Sequence, residues 1–259
     1  MKSLERSPGS RTGIVTGAGA GIGRAISRTL LSSGVDIVGI DCEPGGLGEL
    51  QLEFGSSPGR FLPVDGDAAS AEVLRTAFET CKREFAHGPS IVVVNAGRGL
   101  QGSVLTSDPA MWQGTFSTNY IGALRLLRRA AQAMLEDGKG TGDMPRDIVY
   151  VGSATGRRVT LFNAVYGAGK AGIHAATEGL RLELATLGVR ASLIEPGIVA
   201  TQFQKSAGYD LGQFADHERE IGPFLAAEDV ARLVHFIVSQ PAHIHISNAM
   251  IRPTRQVMP

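Results

Sequence analysis

The sequence predicts a doubly wound α/β fold: a seven-stranded parallel sheet with helices on both faces, in a single domain over residues 1–259. Three observations predict it. Short apolar, β-branched runs alternate with longer segments of helical period, the pattern of a parallel sheet buried on both sides. A glycine cluster directly follows the first of those runs and opens a helix. A chain of 259 residues, 43% hydrophobic and 19% charged, is also long enough to bury about three quarters of its unfolded surface without a metal or disulfide.

Taken in order, strands are expected at Gly13–Thr16, Val35–Ile40, Arg60–Val64, Ile91–Val94, Asp147–Gly152, Arg190–Ile194 and, short and last, near Asn248–Ile251. Helices are expected at about 22–33, 68–86, 109–137, 163–187 and 226–239, with a weaker, glycine-broken one at 44–54. Glycine is abundant, 34 residues against a typical usage of about 7%, but follows no repeat period, so the excess marks turns and close approaches. The stretch at about 200–224, bounded by Pro196-Gly197 and Pro223, has no clear period and reads as a substrate lid. Right-handed crossovers place every loop after a strand on one edge, where open α/β sheets bind ligands.

Composition excludes several classes. The 25 basic and 25 acidic residues cancel, leaving no net field to attract nucleic acid or an anionic bilayer. No run approaches the roughly 20 apolar residues of a membrane span, and the start lacks a signal-peptide core, so a cytoplasmic protein is expected. Cys42 and Cys81 have no zinc or disulfide spacing, which fits a reducing compartment. The six histidines show no ligand spacing beyond His243-x-His245, so no metal is expected.

The loop after the first strand reads Thr16-Gly17-Ala18-Gly19-Ala20-Gly21-Ile22-Gly23, the context of a phosphate cradle in a Rossmann-like fold. Glycines let backbone N–H groups approach a pyrophosphate, and the following helix N-terminus favours the anion. A tight strand-to-helix turn is the plainer alternative. Asp41, ending the second strand about 20 residues on, can accept from adenosine ribose hydroxyls. With uncharged Cys42 beside it, a 2′-phosphate would meet a carboxylate, so NAD(H) is favoured over NADP(H); Arg24 is the dissenting cation. Asp65, ending the third strand, either accepts from the adenine amino group or forms a turn.

Chemistry is expected at Tyr166 and Lys170, an i,i+4 pair on one helix face. A phenol with a reference pKa of about 10 is a poor base at neutral pH, and a nearby ammonium draws that value down. Ser153 follows an apolar strand at the ligand edge, where its hydroxyl either holds a substrate oxygen or caps a turn.

Together these residues resemble the short-chain dehydrogenase/reductase family of the single-domain type, over nearly the whole chain. The signatures are the TGxxxGxG loop at 16–23, Asn95-Ala96-Gly97, Asn119, Ser153 with Tyr166-xxx-Lys170, and Pro196-Gly197. The resemblance implies that Tyr166 is the general acid/base, that Lys170 tunes it and bonds the nicotinamide ribose, and that Ser153 positions the reacting oxygen. It further implies that Asn119 bends its helix and holds a relay water, and that Asn95, Ala96 and Gly97 floor the adenosine site. Pro196, Gly197, Ile198 and Thr201 would line the nicotinamide. Relatives commonly form homodimers or homotetramers through the fourth and fifth helices, and the small-residue run at 164–176 is compatible with that or with packing inside one subunit. Two departures stand out: the glycine-rich segment after Asp41, and an ending, Asn248 to Gln256, that resembles relatives acting on small hydroxy acids.

Substrate candidates are Arg98, Thr155, Arg157 and Phe203. An arginine clamp at Arg98 or Arg157-Arg158 suggests a small acid. An aromatic lid of Phe203, Tyr209, Leu211, Phe214 and Phe224 suggests a ring or acyl chain. The expected activity is NAD(H)-dependent interconversion of a secondary alcohol and a ketone. The alternatives are a redox-neutral reaction with bound NAD, such as epimerisation or dehydration, and a non-catalytic NAD-binding regulatory protein.

Overall fold

The computed structural model describes residues 11–55, 58–137 and 144–257. The strands are β1 (Thr12–Thr16), β2 (Asp36–Asp41), β3 (Phe61–Asp65), β4 (Ile91–Val94), β5 (Asp147–Val151), β6 (Arg190–Pro196) and β7 (Asn248–Ile251). They form one parallel sheet in the order β3-β2-β1-β4-β5-β6-β7. The chain builds outward from β1 to β3, crosses back to β4 beside β1, and builds outward again to β7. That reversal opens a crevice between the loops after β1 and β4.

Every residue of β1, β4, β5 and β6 is buried, which is why these strands read as continuous apolar runs. Side chains alternate between two cores. On one face Ile14, Val92 and Ile148 pack with Leu74 and Phe78 of α3 (Ala71–Phe85), Leu126 and Met134 of α5 (Ala123–Asp137) and Ile173 of α6 (Ala164–Ala185). On the other, Val15, Val93 and Val149 pack with Ile26 and Leu30 of α1 (Gly21–Ser32), Leu47 and Leu50 of α2 (Pro44–Glu53), and Val230 and Val234 of α9 (Ala227–Val238). Among the described residues, no helix is long and apolar enough to cross a membrane.

Two segments differ from expectation. The helix expected at 109–137 is broken: a 3₁₀ turn at Pro109–Met111 leads into α4 (Trp112–Phe116), then a wide π turn at Ser117–Gly122, then α5. The extra residue in the wide turn carries Asn119 inward to Arg98, a partner that apolar periodicity cannot show. The stretch at 200–224, read as irregular, holds α7 (Phe203–Ser206) and α8 (Leu211–Ile221). Asp210 starts α8 by accepting from the Gly212 and Gln213 amides. No residue of α8 is fully buried, so it lacks the strong apolar stripe that would have revealed it. Within the small-residue run of α6, the space left by Gly172 receives the Tyr120 ring of the same chain.

At the edge of the sheet away from the crevice, Asp147 accepts from both Arg190 (2.7 and 2.8 Å) and Arg11 (2.5 Å). Arg190 also donates to the carbonyls of Gln240, Pro241 and Ile244, and Arg11 to that of Val238. This cluster ties the start of β1, β5 and β6 to the segment that follows α9.

Candidate active site

A cleft of about 1760 Å³ opens over the carboxyl ends of the strands, larger than the roughly 300–1000 Å³ pocket of one drug-sized ligand. Gly17, Gly21 and Ile22 line one end. Gly17 (φ +67°) and Gly21 (φ +48°) are left-handed, and a Cβ on Gly23 would stand 2.0 Å from the Gly17 carbonyl oxygen. Ala20, at the N-cap of α1, gives no side-chain cap, so the first-turn amides keep their capacity for an anion. The loop is fastened from behind: Asn95 Nδ2 donates to the Thr16 carbonyl (3.0 Å), and Thr16 Oγ1 accepts from the Asn95 and Ala96 amides (3.0 and 3.1 Å). Gly19 and Gly23 shape this loop without lining the cleft.

Asp41 lies beside the cradle, its carboxylate accepting from the Gly19 amide (2.9 Å) and the Glu43 amide (3.0 Å). Asp65 ends β3 as expected but is exposed; Gly66, Asp67 and Ala68 line the cleft in its place. Arg24 pairs with Glu49 (2.7 Å). This uncapped, glycine-built cradle with a carboxylate at ribose distance along the sequence fits a nicotinamide dinucleotide.

At the other end Ser153, Tyr166 and Lys170 line the cleft together. Ser153 Oγ accepts from the Thr155 amide (3.2 Å) and faces Tyr166, whose ring packs 6.0 Å from that of Phe203. Lys170 Nζ is buried; it donates to the Tyr150 hydroxyl (3.1 Å) and the Val151 carbonyl (3.1 Å) and stands 5.9 Å from the Tyr166 ring centroid. The expected lowering of the phenol by this ammonium is absent here. Burial pushes Tyr166 above its ordinary value, the Tyr209 phenol adds to the rise, and the Ser153 hydroxyl opposes it. Burial likewise brings Lys170 down to about 8. For both groups burial is the largest cause.

Asn119 is buried beneath the cleft; its amide accepts from the Arg98 N–H and donates to the Arg98 carbonyl, both at 2.7 Å. It fastens the loop after β4, where Asn95, Ala96 and Gly97 line the cleft. Pro196, Gly197, Ile198 and Thr201 line it opposite the glycine loop. Both Ile198 backbone groups have partners within the chain: the N–H donates to Gln256 Oε1 (3.0 Å) and the carbonyl accepts from the Leu225 amide (3.1 Å). The C-terminal segment returns across this loop and takes the N–H, and the segment before α9 takes the carbonyl.

The substrate candidates divide. Thr155 and Phe203 line the cleft. Arg157 does not: its Nε donates to Glu195 (2.6 and 2.7 Å) and its Nη2 to Asn248 (2.8 Å). A carboxylate with 0% exposure needs a cation, and Arg157 supplies it. Arg98 is exposed and lines the cleft, its backbone held by Asn119. Of the apolar residues expected in a lid, Phe203, Tyr209 and Phe214 line the cleft, Leu211 is 53% exposed, and Phe224 is buried with its ring 4.5 Å from that of Phe214. His245 Nε2 bonds to the Ala191 carbonyl (3.0 Å), and the described residues contain no cluster of three His, Cys, Asp or Glu arranged for a metal.

Sequence reasoning missed Tyr150, His174, Glu195 and Gln256. Glu195 carried a signal: a charged residue inside the buried run of β6 must have partners. His174, amid the apolar residues of α6, carried a weaker one.

Residues 11–211 match the family model described as short chain dehydrogenase. The chain is 34% identical over 253 residues to the human dehydrogenase/reductase SDR family member 11, covering 95% of each. It superposes on a serine dehydrogenase complexed with NADP+ with a TM-score of 0.83 and 26% identity, over 95% of this chain and 96% of the other. A 3-ketoacyl-(acyl-carrier-protein) reductase from Brucella melitensis complexed with NADH shares the fold, with a TM-score of 0.83 and 24% identity over 95% and 98%.

Proposed function

The chain belongs to the short chain dehydrogenase family of oxidoreductases, and from that premise we propose that it interconverts a secondary alcohol and a ketone with NAD(H), Tyr166 serving as general acid/base. The observation that carries this reading is that Ser153, the buried Tyr166 phenol and Lys170 line one cleft together, with Lys170 Nζ 5.9 Å from the Tyr166 ring centroid. Bound NAD(H) would supply the hydride donor or acceptor. The Gly17–Gly23 loop would hold its pyrophosphate, and Asp41 its adenosine ribose. Ser153 orients the substrate oxygen, and Tyr166 gives or takes its proton. Lys170, protonated below about 8, stabilises the phenolate that proton transfer leaves. Asn119 keeps the floor loop in register through Arg98. The α7–α8 segment serves as the lid, and a homo-oligomer is the expected assembly.

The preference for NAD(H) is supported by the Asp41 carboxylate and by Arg24, which Glu49 neutralises. A 2′-phosphate would face the carboxylate without a free guanidinium from α1. Replacing Asp41 with Ser is expected to lower the NADH-to-NADPH ratio of kcat/KM by at least tenfold, about 1.4 kcal/mol. An unchanged ratio in paired cofactor titrations would refute the assignment.

Of the two substrate readings, an apolar ring or chain is favoured over a small hydroxy acid. Arg157 is committed to Glu195, and Val159, Leu161, Phe162, Phe203 and Tyr209 line the same cleft as Tyr166. The likeness to serine dehydrogenase sets the competing expectation. NADH formation should be at least tenfold more efficient with 1-indanol, 1-tetralol and cyclohexanol than with 3-hydroxybutyrate or serine. The opposite ranking would reverse the substrate class.

A further inference from the structure

Behind Ser153 runs a chain of buried polar groups. The Ser153 amide donates to His174 Nε2 (3.3 Å), while His174 Nδ1 faces Glu195 Oε1 (3.3 Å). Glu195 has no exposed side-chain surface and takes two contacts from Arg157 Nε, whose Nη2 reaches Asn248. The imidazole is closely seated: a Cβ on either Gly152 or Gly156, which flank the Ser153 turn, would stand 2.3 Å from a ring atom. It also meets the Tyr150 ring edge-on at 6.1 Å, and Tyr150 accepts from Lys170.

These contacts admit one protonation pattern. A backbone N–H pointing at Nε2 needs a lone pair there, so the ring proton must sit on Nδ1, and Nδ1 faces a carboxylate that accepts it. Burial alone would raise the Glu195 carboxyl, but bonds from His174, Arg157 and Asn248 together hold it below its ordinary value. Arg157 provides the compensating charge, so the imidazole can stay neutral. In the other tautomer, Nε2–H would oppose the Ser153 N–H and Nδ1 would oppose the carboxylate.

We propose that His174 is a positioning residue for Ser153: a neutral imidazole, locked as the Nδ1–H tautomer by Glu195, whose Nε2 holds the Ser153 amide and so sets where the Ser153 hydroxyl meets Tyr166. The proposal rests on the reading of Ser153 and Tyr166 as the reacting pair. It also explains why Arg157 is absent from the cleft: the guanidinium serves the carboxylate that orients the histidine.

The test begins with the unmodified protein. Long-range nitrogen–proton spectra of histidine-labelled protein at pH 7 should show His174 protonated at Nδ1 and bare at Nε2. Hydrogen exchange of the Ser153 amide should then speed up at least tenfold in His174→Leu, which keeps the bulk without the bonds, and return towards normal in His174→Gln, whose Oε1 can again accept. With 1-indanol and NAD, kcat should fall by about ten- to a hundredfold in His174→Leu while NADH affinity holds, and Gln should restore most of it. An Nε2–H tautomer, an imidazolium, or unchanged Ser153 exchange in His174→Leu overturns the proposal. If the tautomer and exchange behave as stated but the unmodified protein oxidises no alcohol, the assigned reaction fails and the positioning network stands.

Discussion

Replacing Tyr166 with Phe should lower turnover by about 10²–10⁴-fold, the span attributable to one positioned general acid/base, while NADH binds as before. The two effects separate because the substitution removes one oxygen and little else. Tyr166 is 8% exposed and packs with Leu100, Val165 and Phe203, contacts a phenyl ring preserves. The hydroxyl is the part that faces Ser153. The cradle at Gly17–Gly23 is fastened from behind by Thr16 and Asn95, through bonds that do not involve Tyr166. Stopped-flow hydride transfer and NADH fluorescence titration on the same preparations measure both quantities. Turnover within a few-fold of the unmodified enzyme would remove Tyr166 from the chemistry. A parallel collapse of NADH affinity would make its role structural.

Replacing Asp147 with Ala should lower the free energy of unfolding by about 3–5 kcal/mol, the cost of leaving a buried charge uncompensated, and lower Tm by roughly 10 °C. The carboxylate is 1% exposed and faces the guanidiniums of Arg190, 6% exposed, and Arg11, 17% exposed. Burial already pulls the Arg11 guanidinium below its ordinary value, with Asp147 opposing the pull. Without Asp147, two cations remain in a region whose other partners are carbonyl oxygens and the Ser90 hydroxyl. The cluster sits at the amino ends of the strands, so kcat at 25 °C should be unchanged in the folded fraction. Denaturant unfolding decides it: a loss below 1 kcal/mol would show that the arginines find water or other acceptors.

The elements were legible where one physical signal dominated. Strands β1, β4 and β5 are buried on both faces, so they had to be continuous apolar runs, and their ends lie within a residue or so of the expected ones. The break at Ser117–Gly122 was invisible to periodicity, because its cause is a single long-range pairing, Asn119 with Arg98, and only the family resemblance, with its helix bent at Asn119, pointed to it. Helix α8 was illegible for the opposite reason: it buries too little to need an apolar face.

The site shows the same division. The sequence by itself determined the parallel sheet, the glycine cradle after β1, Asp41 at the end of β2, and Ser153, Tyr166 and Lys170 at one edge, because each depends on a local rule of spacing or on position at a strand end. Only the tertiary structure decided which groups share charge and protons. Arg157 belongs to Glu195, Lys170 to Tyr150 and Val151, Asp147 to two arginines, and His174 to Ser153. A buried charge takes whatever partner the packed sheet brings within about 3 Å. That partner comes from another strand or helix, where no local pattern in the chain reaches.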